Sequence, residues 1–481
     1  MIETRVDALV KSTGATLVLG SGDMTCHGCV IDSRKVREDC AFVAFPGERV
    51  DGNDYAIRAV EAGAACVVIT REPWQDLLDA AAATSCAVVR AEADDAEEFL
   101  LRLAGAWRAD NPWAVVGVTG SVGKTTTKDM VACALSARFR THATKGNLNN
   151  LIGVPLTLLD APADAQVVVV EMGMNHAGEI TRLVRCARPQ LAVITNVGTA
   201  HVGLLGSRDA IARAKAEIVA GPADPLPADV DLDAALVLTA TDDYAPLIER
   251  EYAEPARVDV LRVGLGTGDD VVASDVILDD EGRPSFDVTV ADGRSAHLSL
   301  LIAGRAAVCD CVLALAVALR LGVDLDAASD ALGRLAPADM RQQMVRCPGG
   351  WRVIDDTYNA SPSSMAAALD VLCEVSCEGR RIAVLGEMGE LGDEAVRLHE
   401  LVGAYLAAKP LDLVVFVGHE LAGRMHGAAR LMGLSDDKVA TVPDAASALA
   451  LVRPLLRTGD LVLAKASNAC GLNSFARGIE A

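Results

Sequence analysis

The 481-residue chain reads as an α/β protein of three domains, spanning 1–109, 110–337 and 338–481. Three observations predict this. The length exceeds what one ordinary core fills, and 51 % hydrophobic residues let each domain bury an interior. Short apolar runs alternate with helical stretches, the pattern of mostly parallel sheets covered on both faces. Breakers stand at Asp110-Asn111-Pro112 and Ala336-Pro337.

In the first block, apolar runs at 40–45, 65–69 and 87–89 predict strands, and 55–62 predicts an alanine-rich helix, giving a mixed α/β domain. The second predicts strands at 114–118, 167–170, 191–194 and 236–238 in a doubly wound parallel sheet. A Pro/Asp-rich loop follows at 221–233. Between 269 and 302 the pattern becomes two-residue alternation, with turns at Asp279-Asp280-Glu281-Gly282 and Ala291-Asp292-Gly293. That predicts a small antiparallel insert of hairpins, closed by an apolar helix through 312–319. In the third block, strands at 351–354, 382–385, 413–417 and 461–464 alternate with helices, again doubly wound and Rossmann-like.

A balance of 44 basic against 66 acidic residues gives a net charge of −22, and aromatic residues are 3 %. Both argue against a nucleic-acid partner. No apolar stretch is long enough to span a bilayer, so no membrane insertion is expected. The start, Met1-Ile2-Glu3-Thr4-Arg5-Val6-Asp7, lacks the basic segment and apolar centre of a signal peptide. A cytoplasmic location is expected. Thirteen cysteines, an odd number, fall in core-like segments such as those of Cys66, Cys133 and Cys311, which fits reduced, buried thiols. Cys26-His27-Gly28-Cys29 has the spacing of half a zinc site, but no second pair follows at zinc-ribbon spacing.

The most informative stretch is Gly-Val-Thr-Gly-Ser-Val-Gly-Lys-Thr-Thr at 117–126, between a buried strand and a helix. Such a turn aims the backbone N–H groups of Gly120, Ser121, Val122 and Gly123, and the positive end of a helix, at one polyphosphate. Lys124 can reach the outer phosphates, and the hydroxyl of Thr125 or Thr126 can ligate Mg²⁺. Val118 replaces the first glycine of the usual P-loop, so this is a variant. Glu171 ends the next strand, where ligands of parallel sheets collect and where a P-loop ATPase needs a carboxylate for Mg²⁺. The following strand end carries Thr195, Asn196 and His201. Lys215, taken on its own, reads as a surface lysine forming helix-face ion pairs. The amide-rich loop 145–155, with Asn149 and Asn150, suits a polar substrate or a capping turn. Ser361-Pro362 is a helix start, but Asp356, Tyr358 and Asn359 beside it exceed what capping requires.

Together these segments resemble the Mur ligase family, and within it the MurF type, in matching order over nearly the whole chain. The P-loop variant is shared with folylpolyglutamate synthases. Three segments are more specific: Glu171-Met172-Gly173 through Gly178-Glu179-Ile180; Asp356-Thr357-Tyr358-Asn359-Ala360-Ser361-Pro362; and Val384-Leu385-Gly386-Glu387-Met388-Gly389-Glu390-Leu391-Gly392. Gly28-Cys29-Val30-Ile31-Asp32-Ser33-Arg34, Phe42-Val43-Ala44-Phe45-Pro46-Gly47 and Asp51-Gly52 resemble the family's UDP-sugar domain. The Asp-Asn-Pro-Arg signature of diaminopimelate-adding relatives is absent.

The resemblance implies an ATP-dependent ligase acting through an acyl phosphate, with UDP-N-acetylmuramoyl-tripeptide and D-alanyl-D-alanine as partners in peptidoglycan precursor synthesis. It implies a UDP-binding first domain, an ATP-binding middle domain and a Rossmann-like ligase domain in a monomer that closes on its substrates. Lys124 and the loop from Gly120 to Thr126 would hold phosphates. Thr125 and Glu171 would hold one Mg²⁺ and His201 a second, beside a carbamylated Lys215; this implied role replaces the surface reading of that lysine. Asn149 and Asn150 would face the acyl substrate. Asp356, Tyr358 and Asn359 would meet nucleotide and substrate, and Ser33 and Arg34 the uridine end.

The chain departs from the family pattern at several points. After Gly304-Arg305 the usual His-Asn and a later asparagine are Ala306, Ala307 and Asp310, near the adenine. Lys465-Ala466-Ser467-Asn468 lacks an arginine, Gly203 replaces a glutamate, and Asn53 replaces a histidine. These leave open a Mur-type amide ligase with another acceptor, or a weakened nucleotide- or UDP-sugar-binding scaffold.

Overall fold

The computed structural model describes residues 1–47, 50–220, 235–266 and 268–480. The loop expected at 221–233 lies outside the described residues. Among the described residues there are four sheets. Strands Cys29–Val30, Ala41–Val43, Cys66–Ile69 and Ala87–Arg90 run parallel in the N-terminal sheet, with Thr16–Leu19 antiparallel at the far edge. Glu3–Arg5 and Thr25–His27 form a two-stranded ribbon beside it.

The central sheet has nine strands. Its middle strands, Ala114–Thr119, Val167–Glu171, Leu191–Ile194 and Ala235–Thr239, are parallel and almost entirely buried. They are continuous Val/Ile/Leu runs because helices cover both faces. The helix Arg305–Arg320 packs against Lys124–Ser136 on one face; its length from Ala307 to Ala318 is buried almost throughout, as its apolar sequence requires. Register then builds the site. Val118 pairs opposite Glu171, and Thr119 opposite Ile194, so neighbouring strands end at one level and their loops converge.

The C-terminal sheet orders Gln343–Arg346, Arg352–Asp356, Leu461–Lys465, Arg381–Gly386, Leu413–Val417 and Val439–Val442 from edge to edge, all parallel except the first. Asp356 stands opposite Lys465.

The antiparallel hairpins expected at 269–302 are present, and they join the central sheet: Val271–Leu278 pairs with Asp259–Gly264 through Val263↔Val271 and Gly264↔Val272. Asp259–Gly264 carries the continuity, but its first four residues are only partly covered and leave no apolar run. Three edge strands, Thr141–Ala143, Gln343–Arg346 and Val439–Val442, escaped prediction for the same reason. No helix among the described residues is long and apolar enough to cross a membrane.

Candidate active site

The loop after Ala114–Thr119 is built on close contact. A Cβ at Gly120 would lie 1.9 Å from Thr195 Oγ1, and one at Gly123 (φ +86°) 2.6 Å from Asp310 Oδ1. Only glycine fits either position. The neighbouring strand end straps the loop down. Ser121 N–H donates to the Asn196 carbonyl (3.0 Å) and Val122 N–H to Asn196 Oδ1 (3.0 Å). The Val122 carbonyl accepts from Asn196 Nδ2 (2.9 Å) and Thr195 Oγ1 (2.5 Å), and Ser121 Oγ accepts from Gly198 N–H (2.8 Å). Two loop N–H groups are thus engaged with Asn196. The first turn of the Lys124–Ser136 helix, at Lys124, Thr125 and Thr126, carries the outward donors a helix start leaves unpaired.

Lys124 Nζ donates to the Gly120 carbonyl (2.9 Å) and, less closely, to that of Ser121 (3.4 Å). Burial pushes this ammonium below the ordinary lysine range, while the charge of Glu171 holds it up in part. Glu171 itself is buried among neutral donors. Its Oε2 accepts from Thr125 Oγ1 (2.8 Å), its Oε1 from Asn149 Nδ2 (2.8 Å), and its N–H donates to Thr144 Oγ1 (3.0 Å). Among the described residues no cation pairs with this carboxylate. A buried carboxylate beside a threonine hydroxyl, with its charge uncompensated, is a hard-oxygen pair suited to Mg²⁺. Among the described residues, no group of three or more His, Cys, Asp or Glu side chains stands together there.

Across the cleft, the C-terminal sheet supplies the facing wall. Lys465 Nζ donates to Asp356 Oδ2 (2.6 Å) and to the Asn359 carbonyl (3.0 Å). The Arg341 guanidinium lies 4.1 Å over the Tyr358 ring. The 387–392 loop is anchored at two points: Glu387 Oε1 accepts the N–H groups of His419, Leu421 and Ala422 at the start of one helix, and Met388 N–H donates to buried His399 Nε2 (2.9 Å). That anchoring brings Glu390 Oε2 to 3.2 Å from His201 Nδ1, a close polar contact without hydrogen-bond alignment. Both residues hold left-handed backbone, φ +61° and +65°.

The cleft between these walls encloses about 390 Å³. It gathers Ser121, Val122, Gly123, Lys124, Thr125, Thr126, Asn149, Glu171, His201, Asp356, Tyr358 and Asn359 from the residues singled out in the sequence. Others lie elsewhere. Gly120 sits behind the loop. Asn150 Oδ1 accepts from Ile152 and Gly153 N–H, capping the next helix. Ser33 and Arg34 form a turn of the N-terminal sheet, where exposed Arg34 pairs with Asp32 (2.8 Å).

The surface reading of Lys215 does not hold. It is 1 % exposed and has no carboxylate partner among the described residues; the ion pairs on its helix belong to Arg208, with Asp243, and to Arg213, with Asp209 and Glu251. Burial pushes Lys215 well below the usual lysine range, and the charge of Lys124 adds to this.

Arg341, Lys465, Glu390 and Asp310 also line the cleft. Lys465 and Asp310 entered the sequence reading only as part of departures from the family pattern, and Glu390 lay within a quoted motif; Arg341 had no local signal. Two departures find physical reasons. A Cβ at Gly203 would lie 2.2 Å from the Leu391 carbonyl carbon, so the inter-sheet contact leaves no room for a side chain. Asn53 bonds Asp51 Oδ1 (2.7 Å), Thr70 Oγ1 (2.9 Å) and Thr70 N–H (3.0 Å), holding its turn without a histidine.

Known proteins match this architecture. The chain matches the Mur ligase family catalytic domain over residues 25–107, the Mur ligase middle domain over 118–318, and the Mur ligase glutamate ligase domain over 340–468. The chain belongs to the Mur ligase family. Within it, MurF enzymes are among its full-length relatives. It is 33 % identical to the UDP-N-acetylmuramoyl-tripeptide--D-alanyl-D-alanine ligase of Bacillus subtilis, covering 99 % of this chain and 98 % of that one. The crystal structure of MurF from Acinetobacter baumannii superposes with a TM-score of 0.86 at 30 % identity, covering all of both chains. MurF from Thermotoga maritima in complex with ADP superposes at 0.78, with 27 % identity and 94 % and 97 % coverage.

Proposed function

We propose that this chain is an ATP-dependent ligase that joins D-alanyl-D-alanine to the terminal carboxylate of UDP-N-acetylmuramoyl-tripeptide through an acyl phosphate. One observation carries the reading. The Lys124–Thr125–Glu171 floor, built for phosphate, faces the Asp356–Lys465–Tyr358 wall across a single cleft in a chain alike in full length to MurF.

The residues divide the work. Lys124 leaves its own loop carbonyls to hold the phosphoryl group as charge builds on it, and the helix start receives the flanking phosphates. Thr125 and Glu171 would hold Mg²⁺, whose charge would offset that of the transferring phosphoryl group. Asn149 fixes the Glu171 carboxylate and presents its amide to the acyl end. His201, beside Glu390, would help hold a second cation together with Lys215. Burial favours the neutral amine at Lys215, the form that would add CO₂ with loss of a proton to give a carbamate, whose oxygen would supply a ligand. Asn150, Asn359, Ser33 and Arg34 contact the UDP-linked substrate, and Asp356 and Tyr358 the nucleotide. The three domains, 1–109, 110–337 and 338–481, act as substrate, ATP and closing units of a cytoplasmic monomer.

The purified protein should release phosphate from ATP only when UDP-tripeptide and D-alanyl-D-alanine are both present. Equal release with a single amino acid in place of the dipeptide would reject the acceptor.

A further inference from the structure

Asp310 stands in the second turn of the Arg305–Arg320 helix and is pressed against the P-loop. Its Oδ1 accepts from Thr127 Oγ1 (2.8 Å), and the position a Gly123 Cβ would take is 2.6 Å from that same oxygen. The residue is 8 % exposed and lines the cleft. Nothing positive balances it. Among the described residues no lysine, arginine or histidine lies within ion-pair distance of its carboxyl. The Lys124 ammonium is held by the Gly120 and Ser121 carbonyls, and that of Lys128 by Asp129 and the Thr144 carbonyl. Arg341 is stacked on Tyr358 across the cleft, and Arg305, on the same helix, pairs with Glu374. The neighbouring titratable groups on its helix are the thiols of Cys309 and Cys311, both pushed up by burial. Burial likewise pushes the Asp310 carboxyl up to about 7, with the Thr127 hydroxyl pulling it down only in part.

A carboxyl in this place meets a polyanion in one of two forms. Ionised, it sets a buried negative charge against the glycine that opens the phosphate-binding helix, where low polarity leaves the repulsion weakly screened. Neutral, it keeps one oxygen for Thr127 and offers an O–H to the ligand. We propose that Asp310 determines nucleotide affinity by taking up a proton when a nucleoside triphosphate binds at the P-loop. This rests on the reading of the cleft as an ATP site. The competent, protonated fraction is near one at pH 6 and about a tenth at pH 8, so affinity falls about tenfold across that range.

The test is calorimetric titration of the full-length protein with Mg²⁺ and a non-hydrolysable ATP analogue at pH 6, 7 and 8. Each titration is run in two buffers of different ionisation heat. The wild-type Kd should weaken about tenfold more than that of Asp310→Asn, which keeps the shape and the acceptor for Thr127. Proton uptake should approach one at pH 8 in the wild type and vanish in the variant. Thr127→Val removes the hydroxyl that favours ionisation, and should move the loss of affinity to higher pH. Identical pH profiles in wild type and both variants, without proton uptake, would overturn the proposal. If no protein binds the analogue at any pH, the ATP reading itself falls and takes the proposal with it.

Discussion

On the floor of the cleft, Glu171 at the end of its strand accepts from Thr125 in the first turn of the Lys124–Ser136 helix and from Asn149 in a neighbouring loop, both neutral hydrogen-bond donors. On the facing wall, Lys465, Asp356, Arg341 and Tyr358 are held by an ion pair and a stacked guanidinium. The floor holds a carboxylate without a cation and a lysine pushed toward neutrality. On the wall the buried lysine has its carboxylate partner, Lys465 with Asp356. A site that must receive a polyanion and a metal leaves its own charges uncompensated there, at a cost in stability. Charge matching marks the surfaces that support it.

The contrast breaks most sharply at Lys124. Lys124→Ala should lower dipeptide coupling by about 10³-fold, with little change in melting temperature, because the ammonium is bonded only to loop carbonyls. On the wall, Lys465→Met leaves Asp356 buried without its partner and should cost about 3–5 kcal/mol of stability, read by denaturant unfolding. If Lys124→Ala unfolds the protein while Lys465→Met leaves it as stable as wild type, floor and wall have been assigned the wrong way round.

The floor was the more legible half in the sequence, for a physical reason. Its residues lie in one contiguous turn, or at the ends of strands buried on both faces, so periodicity and glycine spacing report them directly. The wall draws on positions 341, 356, 358, 390 and 465, joined only by sheet register and a strained loop. Lys465 meets Asp356 because two strands pair in parallel, which no local window shows. Lys215 is the clearest misreading from residues alone. Its helix carries enough charge to look solvated, yet that charge lies on the Arg213 face and the lysine turns inward. Edge strands such as Gln343–Arg346, and the interior strand Asp259–Gly264, were lost because half-exposed strands leave no apolar run.

Away from both walls, Asn53 tests whether a departure from the family pattern can be purely structural. Its amide joins Asp51 to Thr70 inside the N-terminal sheet. Asn53→Ala should cost about 1–3 kcal/mol in unfolding free energy through the unpaired buried groups left behind, with ATP affinity unchanged. A change in ATP affinity without loss of stability would place this residue in the nucleotide machinery instead.

The smallest effect is expected at the opposite rim of the C-terminal sheet, where charge matching serves stability alone. Asp460 precedes the strand that ends in Lys465, and its carboxylate accepts from Arg380 N–H (2.9 Å), Arg380 Nη2 (2.6 Å) and Arg457 N–H (2.9 Å). Burial works to raise its pKa, but the Arg380 hydrogen bonds, with the two backbone donors, outweigh it and hold the carboxyl below the ordinary range. A folded pKa below the unfolded one favours folding wherever the unfolded group is ionised. That contribution is complete above about pH 4 and is lost as pH falls through the folded value. Asp460→Asn should therefore be less stable than wild type by about 1–2 kcal/mol at pH 7, the gap narrowing below about pH 4. Coupling activity should stay at the wild-type level at neutral pH, since a full strand separates this clamp from Lys465. A gap independent of pH would show that shape rather than charge holds this rim, and a loss of activity would show that the two ends of the strand are coupled.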